Sequence, residues 1–314
     1  MYYKKNLTES KGNLSKTWNI VNKIINKTKV KTTIPPLATS TNASNPLDIV
    51  NTSNILNDYF VEIGPTLASI PTRVQVSRTS GSSVIHSFFL SPVLPEDVFL
   101  QINLLNPLKS NDTHDLPVSS LKISQHVIAP YLADPYNLCI TDSIFPTKLK
   151  LAKVIPVYKS GDKTQPSNYR LISLLSHFSK IFEKLVSTNL LSFLAQNSIL
   201  CAQQFGFRQG LSTSLALLKL QDHSLSKILK NYLHVLYFWI LRKPLILWPP
   251  NTVLLGKLSQ CGLRGSTNKF FESCPSKRQQ FVYANDIKPN TNTLPAGFPK
   301  VLRLALSFFY CRPT

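Results

Sequence analysis

The sequence predicts a mixed fold, in which two short strands lie among amphipathic helices. The apolar, β-branched run from Ala152 to Tyr158 indicates the first strand, and Ile172 to Leu175 indicates the second. A helix is predicted directly after the second strand. Its apolar residues recur at helical spacing and are Phe178, Ile181, Phe182 and Leu185. A domain that combines both kinds of element is therefore expected.

Before the strands, the N-terminal third reads as helices joined by linkers. Residues 1–33 are rich in Lys and Asn and predict a basic surface helix, and 35–46 predict a linker. The apolar positions of that basic helix are Trp18, Val21, Ile24 and Ile25. A second helix is predicted from Ser53 until Gly64-Pro65 disturbs its end. A flexible stretch at 72–84 follows, and a helix from Pro95 to Leu105 starts a new domain.

The charge balance favours an anionic partner. Lys and Arg number 35 against 15 Asp and Glu, so the formal net charge is +20 at pH 7. Such an excess points most often to nucleic acid, with an anionic membrane surface as the second candidate. A solvated basic surface without a partner remains the third.

Cysteine usage and the start of the chain indicate an intracellular setting, nuclear or cytoplasmic. The five cysteines are scattered and contain no CxxC pair, so neither a disulfide framework nor a zinc module is predicted. The opening MYYKKNLTES lacks the apolar core of a signal peptide, so secretion is not expected.

The most apolar run of its length, YFWILRKPLILW from Tyr237 to Trp248, does not predict a membrane span. It is shorter than the roughly 20 residues that cross a bilayer, and Arg242 and Lys243 lie in its middle.

The two strands are joined by a basic loop that contains a turn at Lys159-Ser160-Gly161-Asp162. This hairpin is expected to bring four cations near one another, namely Lys153, Lys159, Lys163 and Arg170. A surface hairpin with solvated lysines is the alternative. A P-loop is excluded, because Gly161 lacks both the upstream glycine and the Gly-Lys-Ser/Thr of that motif.

Three runs carry a family resemblance. AKVIPVYKSGD, followed by PSNYRLISLLSHFSKIFEKL and then by QQFGFRQGLSTSLALL, resembles the fingers region of reverse transcriptases from non-LTR (LINE-type) retrotransposons. The runs stand in the order and at the separation of that family. One departure is Leu171, where the family has proline.

The resemblance implies roles for individual residues. Lys159 and Arg170 would contact the triphosphate of a nucleotide, for which ammonium and guanidinium groups are suited. The residues implied to lie along RNA or DNA template-primer are Lys153, Lys163, Phe205, Phe207 and Arg208. Core packing is an equal alternative for the two phenylalanines.

The resemblance also implies an α/β (α+β) fold that is an incomplete right-hand polymerase. Residues 1–94 would be a helical, basic connector, 95–222 a fingers-like part, and 223–314 a disrupted and truncated palm that packs poorly.

The catalytic carboxylates of the family are missing. Such polymerases hold two Mg²⁺ ions with aspartates, the first on a strand F-L-D-L-S-K-A-F-D-T-V, where this chain has YFWILRKPLILW. The Trp codon is TGG and Ile codons begin with AT, so reading Trp239-Ile240 one base earlier gives GAT, an aspartate codon. The run is therefore interpreted as the family's strand read in a shifted frame. A second displaced reading recovers the family pattern in PKVLRLALSFFYC at 299–311. After His223 the carboxylates are Glu272 and Asp286 alone.

The sequence thus favours a reverse-transcriptase fragment without catalytic residues, metal ligands or cofactor. The alternative is a non-enzymatic RNA- or DNA-binding remnant that holds nucleic acid weakly and electrostatically. Binding to a membrane surface is supported only by the positive charge of the N-terminal helix. The sequence does not indicate an oligomeric state.

Overall fold

The structure is a computed structural model that describes part of the chain. The described residues are 7–8, 10, 16–18, 20–21, 34–35, 46–68, 85–108, 110–200, 205–206, 208, 210–228, 251–284 and 290–294. Two units are present, residues 1–35 and 36–314. In the first, 16–18 and 20–21 are helical, as predicted around Trp18, whereas Ile24 and Ile25 lie outside the described residues.

The second unit combines helices with one sheet, which confirms the mixed fold. Its helices are α1 (Pro46–Ala68), α2 (Pro95–Asn103), α3 (Val118–Ile123), α4 (Gln125–Thr141), α5 (His177–Gln196), α6 (Thr213–Ile228), α7 (Asn251–Gln260) and α8 (Gly265–Ser273). Its strands are β1 (Leu151–Tyr158), β2 (Tyr169–Leu175), β3 (Gln279–Val282) and β4 (Asn292–Thr293). Short 3₁₀ turns lie at Thr147–Lys150 and Pro166–Asn168.

Strand β1 is the central element of the sheet, whose order is β2-β1-β3-β4. It pairs antiparallel with β2, with Tyr158 opposite Tyr169. It pairs parallel with β3, with Val154 opposite Val282. Strand β4 then pairs antiparallel with β3. Both edges of β1 therefore have hydrogen-bonding partners.

The core lies between the sheet and the helices that follow or precede it. Rings from three elements meet there: Tyr136 of α4 stacks on Phe182 of α5 at 4.5 Å between centroids. Phe270 of α8 meets Phe182 edge to face at 5.8 Å. These rings, together with Val98 and Ile102 of α2, are almost fully buried. Burial of aromatic surface on this scale supplies much of the stability of a core.

Helix α1 is longer than predicted. It begins at Pro46 and continues through Gly64-Pro65, whereas the sequence indicated a start at Ser53 and an end at the proline. Proline is tolerated in the first helical turn, and inside a helix its effect is outweighed when packing is strong. Such packing comes from Leu56 and Phe60, which are buried. Asn57 adds hydrogen bonds, since its amide donates to the Asn290 carbonyl and accepts from Gln280 of β3.

The predicted elements around the hairpin are confirmed, although α2 ends at Asn103 instead of Leu105 and β2 is longer than predicted. Helix α2 and strand β1 begin within a residue of the predicted positions, and α5 carries the predicted apolar face. Strand β2 starts at Tyr169, three residues before the predicted Ile172, because its pairing with β1 extends to the turn.

The expectation that residues after 223 pack poorly is wrong for 251–284. This segment contributes fully buried side chains to the core, namely Leu258, Leu263, Phe270, Phe271 and Phe281. The physical reason is that β3 pairs with the edge of β1 that β2 does not occupy, and this pairing holds the segment against the core. The two displaced readings, at 237–248 and 299–311, lie outside the described residues, as do the predicted flexible stretch at 72–84 and Asp286. The domain boundaries at 94 and 222 stay a prediction.

Within the described ranges, no helix combines the length and the apolar character that crossing a bilayer requires.

A buried ion pair joins α5 to the residue that precedes β3. Arg278 is fully buried, and its Nη2 lies 3.5 Å from Glu183 Oε1. The Nε–H donates to the Cys274 carbonyl at 2.7 Å, and the guanidinium lies over the Phe145 ring. Burial lowers the pKa of Arg278, and the Glu183 carboxylate acts in the opposite direction. Glu183 is thus the group that makes a charged arginine tolerable at this position.

We expect Glu183→Ala to lower the free energy of unfolding by about 3–5 kcal/mol, because Arg278 is left buried without a counter-charge. Urea unfolding followed by circular dichroism measures this loss. The matched control is Glu272→Ala on the exposed side of α8, which should change stability little. Equal losses in the two variants would contradict the role of the pair.

A second polar contact anchors the segment before α3 to the start of α5. One oxygen of the buried Asp112 carboxylate accepts from the backbone N–H of His114 at 2.8 Å and of Leu116 at 2.9 Å. The other accepts from the N–H of His177, the first residue of α5. Burial by itself would raise the pKa of Asp112, but these hydrogen bonds and the nearby His177 outweigh it, so the pKa is lowered.

We expect Asp112→Asn to remove a stabilising contribution that depends on pH. Since the pKa is lower in the folded than in the unfolded chain, the contribution is present above about pH 4 and is lost as the pH falls through the folded value. At pH 7 the variant should lose about 1–3 kcal/mol, and in strong acid the difference should disappear. Urea titrations at both pH values test this, with exposed Asp134→Asn on α4 as the control.

Candidate nucleic-acid interface

The hairpin turn between β1 and β2 has a defined shape. Gly161 has a φ of +95°, a conformation that favours glycine. The Asp162 carboxylate accepts from both the backbone N–H and the hydroxyl of Thr164, at 2.9 and 2.7 Å. Beyond the paired strands, the Lys159 N–H donates to the Asn168 carbonyl at 2.9 Å. The loop is therefore held by its own polar groups.

Two tyrosines brace the loop from one side of the sheet. The hydroxyl of Tyr169 donates to the Lys163 carbonyl at 2.7 Å, and that of Tyr158 donates to the Gly161 carbonyl. The two rings meet edge to face, with centroids 5.8 Å apart. Burial raises the pKa of Tyr169, so its hydroxyl stays a donor at neutral pH.

Lys159 and Arg170 lie on the opposite side of the sheet from those rings. Arg170 is the register partner of Val157, and Lys159 follows Val157 by two residues. Because alternate strand residues share a face, both cations project to the same side. Both are exposed. The two residues that the sequence predicted for phosphate contact therefore lie at the same end of the hairpin, and their role stays a prediction.

Lys163 is exposed but belongs to the tyrosine side. Its Nζ lies 5.7 Å from the centroid of the Tyr158 ring. It therefore lies near the same end of the hairpin as Lys159 and Arg170, but on the opposite face.

Lys153 is not brought to this end of the hairpin. It precedes Lys159 by six residues, which is about 20 Å along a strand. Its side chain is 8% exposed, and its Nζ lies 2.8 Å from Asp115 Oδ1 and 3.9 Å from the centroid of the Tyr283 ring. The expected cluster of four cations is therefore wrong, because β1 runs on into the interior. The predicted role of Lys153 in binding stays a prediction.

The predicted template-contacting residues are described in part. Phe205 is half-buried, and Lys219 of α6 lies over its ring at 5.6 Å. Arg208 is half-buried, and Phe207 lies outside the described residues. An aromatic face next to a cation is a combination that suits unpaired bases, although core packing of Phe205 is compatible with the same contact.

The local charge at the hairpin end is positive. Asp162 is the carboxylate of the turn, and hydrogen bonds from Thr164 lower its pKa. It stays ionised at neutral pH and offsets one of the three nearby cations. Sequence reasoning named Lys159, Lys163 and Arg170 and placed Asp162 in the turn, but it missed the other groups that shape the loop, namely Tyr158, Asn168 and Tyr169. The run Gly-Asp followed by Asn-Tyr was the available signal, since Asn and Asp bond to turn backbone.

The described carboxylates do not fit a divalent-metal centre. Asp112 is bound to backbone amides, Glu183 to Arg278, and Asp115 to Lys153. In the described part of the chain, no three His, Cys, Asp or Glu side chains gather as metal ligands would.

Comparison with known proteins confirms the resemblance to reverse transcriptases of transposable elements. The chain is 32% identical over 161 residues to a Drosophila melanogaster protein whose name assigns it to the RNA-directed DNA polymerase of transposon BS. It is 35% identical over 81 residues to the one named for transposon X-element in the same species. It is also 36% identical over 85 residues to a 115 kDa protein of the type-1 retrotransposable element R1DM.

These matches are partial on both sides. The first spans 51% of this chain and 17% of the relative. The second and third each span 26% of this chain and 9% and 8% of the relatives. No protein-family model matches the chain.

Proposed function

We propose that this chain is a reverse-transcriptase fragment that binds the phosphate backbone of RNA or DNA without polymerising nucleotides. The observation that carries the proposal is that Lys159 and Arg170 are both exposed at one end of the β1-β2 hairpin. A planar guanidinium and a compact ammonium side by side suit phosphate oxygens. The relatives named as RNA-directed DNA polymerases support nucleic acid as the partner.

The wider charge distribution supports the same partner. A net charge of +20 provides long-range attraction to a polyanion, and the hairpin end provides a local contact. Contacts of this kind are not sequence-specific, so a dissociation constant of roughly 10⁻⁴–10⁻⁶ M is expected near physiological salt. Phe205 beside Lys219 would add stacking to unpaired bases.

The proposal excludes polymerase activity for this stretch of 314 residues. Two-metal catalysis needs clustered carboxylates, and after His223 the sequence holds Glu272 and Asp286 alone. Glu272 is exposed on α8. The fold proposed for the described part of 95–222 is the fingers of a right-hand polymerase, and 251–284 falls within the proposed disrupted and truncated palm.

We expect Lys159→Ala and Arg170→Ala each to weaken binding of a fluorescein-labelled oligo(dT). Each should reduce the slope of log K against log salt by about 0.7, the value for one phosphate contact on a single strand. Fluorescence anisotropy across a salt series measures both quantities. The matched control is Lys148→Ala, which removes an exposed cation beyond the other end of β1. An equal effect of Lys148→Ala would mean that net charge alone drives binding.

We also expect no Mg²⁺-dependent extension of a primer on an RNA template, because the metal-binding carboxylates are missing. A gel-based extension assay beside an active reverse transcriptase tests this. Extension that requires Mg²⁺ and is lost in the Arg170→Ala variant would contradict the proposal.

A further inference from the structure

Asn168 bonds to both arms of the hairpin turn. Its backbone carbonyl accepts from the Lys159 N–H at 2.9 Å, where β1 ends. Its side-chain Nδ2 donates to the Asp162 carbonyl at 2.8 Å, in the middle of the turn. Arg170 follows it by two residues on β2. One residue thus connects the backbone of both phosphate-contacting cations to the shape of the loop.

The space around this amide is closed by Gly161. A Cβ at Gly161 would lie 2.7 Å from Asn168 Nδ2 and 3.0 Å from its Cγ. These distances are shorter than van der Waals contact, and the φ of +95° would strain any other residue. The amide therefore packs directly on the Gly161 backbone, where no other side chain would leave room for it.

We infer that Asn168 is a positioning residue, which fixes the separation of Lys159 and Arg170 so that both meet phosphates of one strand at once. Without the bond to Asp162, the turn has more conformations, and holding both cations against the same strand costs conformational entropy. A single exposed phosphate contact does not repay this cost, so only one of the two cations engages the strand in the complex. This inference rests on the proposed function, because it concerns the same surface. Asn168 itself carries no charge and is half-buried.

The test is Asn168→Ala in the whole chain, with labelled oligo(dT) as the probe and a salt series as the measurement. We expect the slope of log K against log salt to fall by about 0.7, as if one cation had been removed, although the charge is unchanged. A role in stability alone would leave this slope unaltered, provided that the variant is folded by circular dichroism.

Three companion variants make the result specific. Asn106→Ala removes another exposed turn asparagine, which accepts from the Leu108 N–H, and should leave the slope unchanged. In a Lys159→Ala background, Asn168→Ala should cause no further fall in the slope, since one cation of the pair is already missing. In Gly161→Ala, the added Cβ displaces the Asn168 amide and should lower the slope by the same amount. This variant replaces Asn168→Ala in the test if Asn168→Ala does not fold.

The outcomes separate the inference from the function on which it rests. If Lys159→Ala and Arg170→Ala leave binding unchanged, the proposed function is wrong. If both weaken binding while Asn168→Ala and Gly161→Ala keep the wild-type slope, the positioning role alone is overturned. A further fall in the slope when Asn168→Ala is added to Lys159→Ala would also overturn the positioning role.

Discussion

The double pairing of β1 is the constraint on which the rest of the structure depends. A central strand must satisfy the hydrogen-bonding groups of both its edges. On one edge β2 does so through a local hairpin, and on the other β3 does so for Leu151–Val154 from far along the chain. The second pairing brings α8 and Arg278 against α5, where Glu183 balances a charge that could not otherwise be buried.

The candidate interface is a by-product of that arrangement. Because β1 enters the interior, Lys153 is enclosed by Asp115 and Tyr283, and positive charge is available where β1 leaves the core. There the two tyrosines occupy one side of the hairpin, which leaves the other side to Lys159 and Arg170. A loop held by hydrogen bonds of Asp162, Asn168 and Tyr169 restricts the positions of the charges beside it.

The elements that could be predicted from sequence are those specified by local pattern. The β-branched run of β1 and the helical spacing in α5 required no knowledge of distant residues. The length of α1 could not be predicted, because the burial of Leu56 and Phe60 and the contacts of Asn57 with Gln280 and Asn290 depend on residues far along the chain. Likewise, cations of the hairpin were visible in the sequence, but the bond from Asn168 to Asp162 follows from the geometry of the turn. The pairing of β3 with β1 has no local signature at all.

That last pairing has a consequence for how the chain folds during synthesis. Val282 leaves the ribosome roughly 130 residues after Val154, which takes about 6–25 s at ordinary rates of translation. During this interval the hairpin and α5 can form, but one edge of β1 has no partner. An apolar strand with an open edge recruits other strands. Nascent chains are therefore most prone to aggregate in this window, and chaperone binding should be concentrated there.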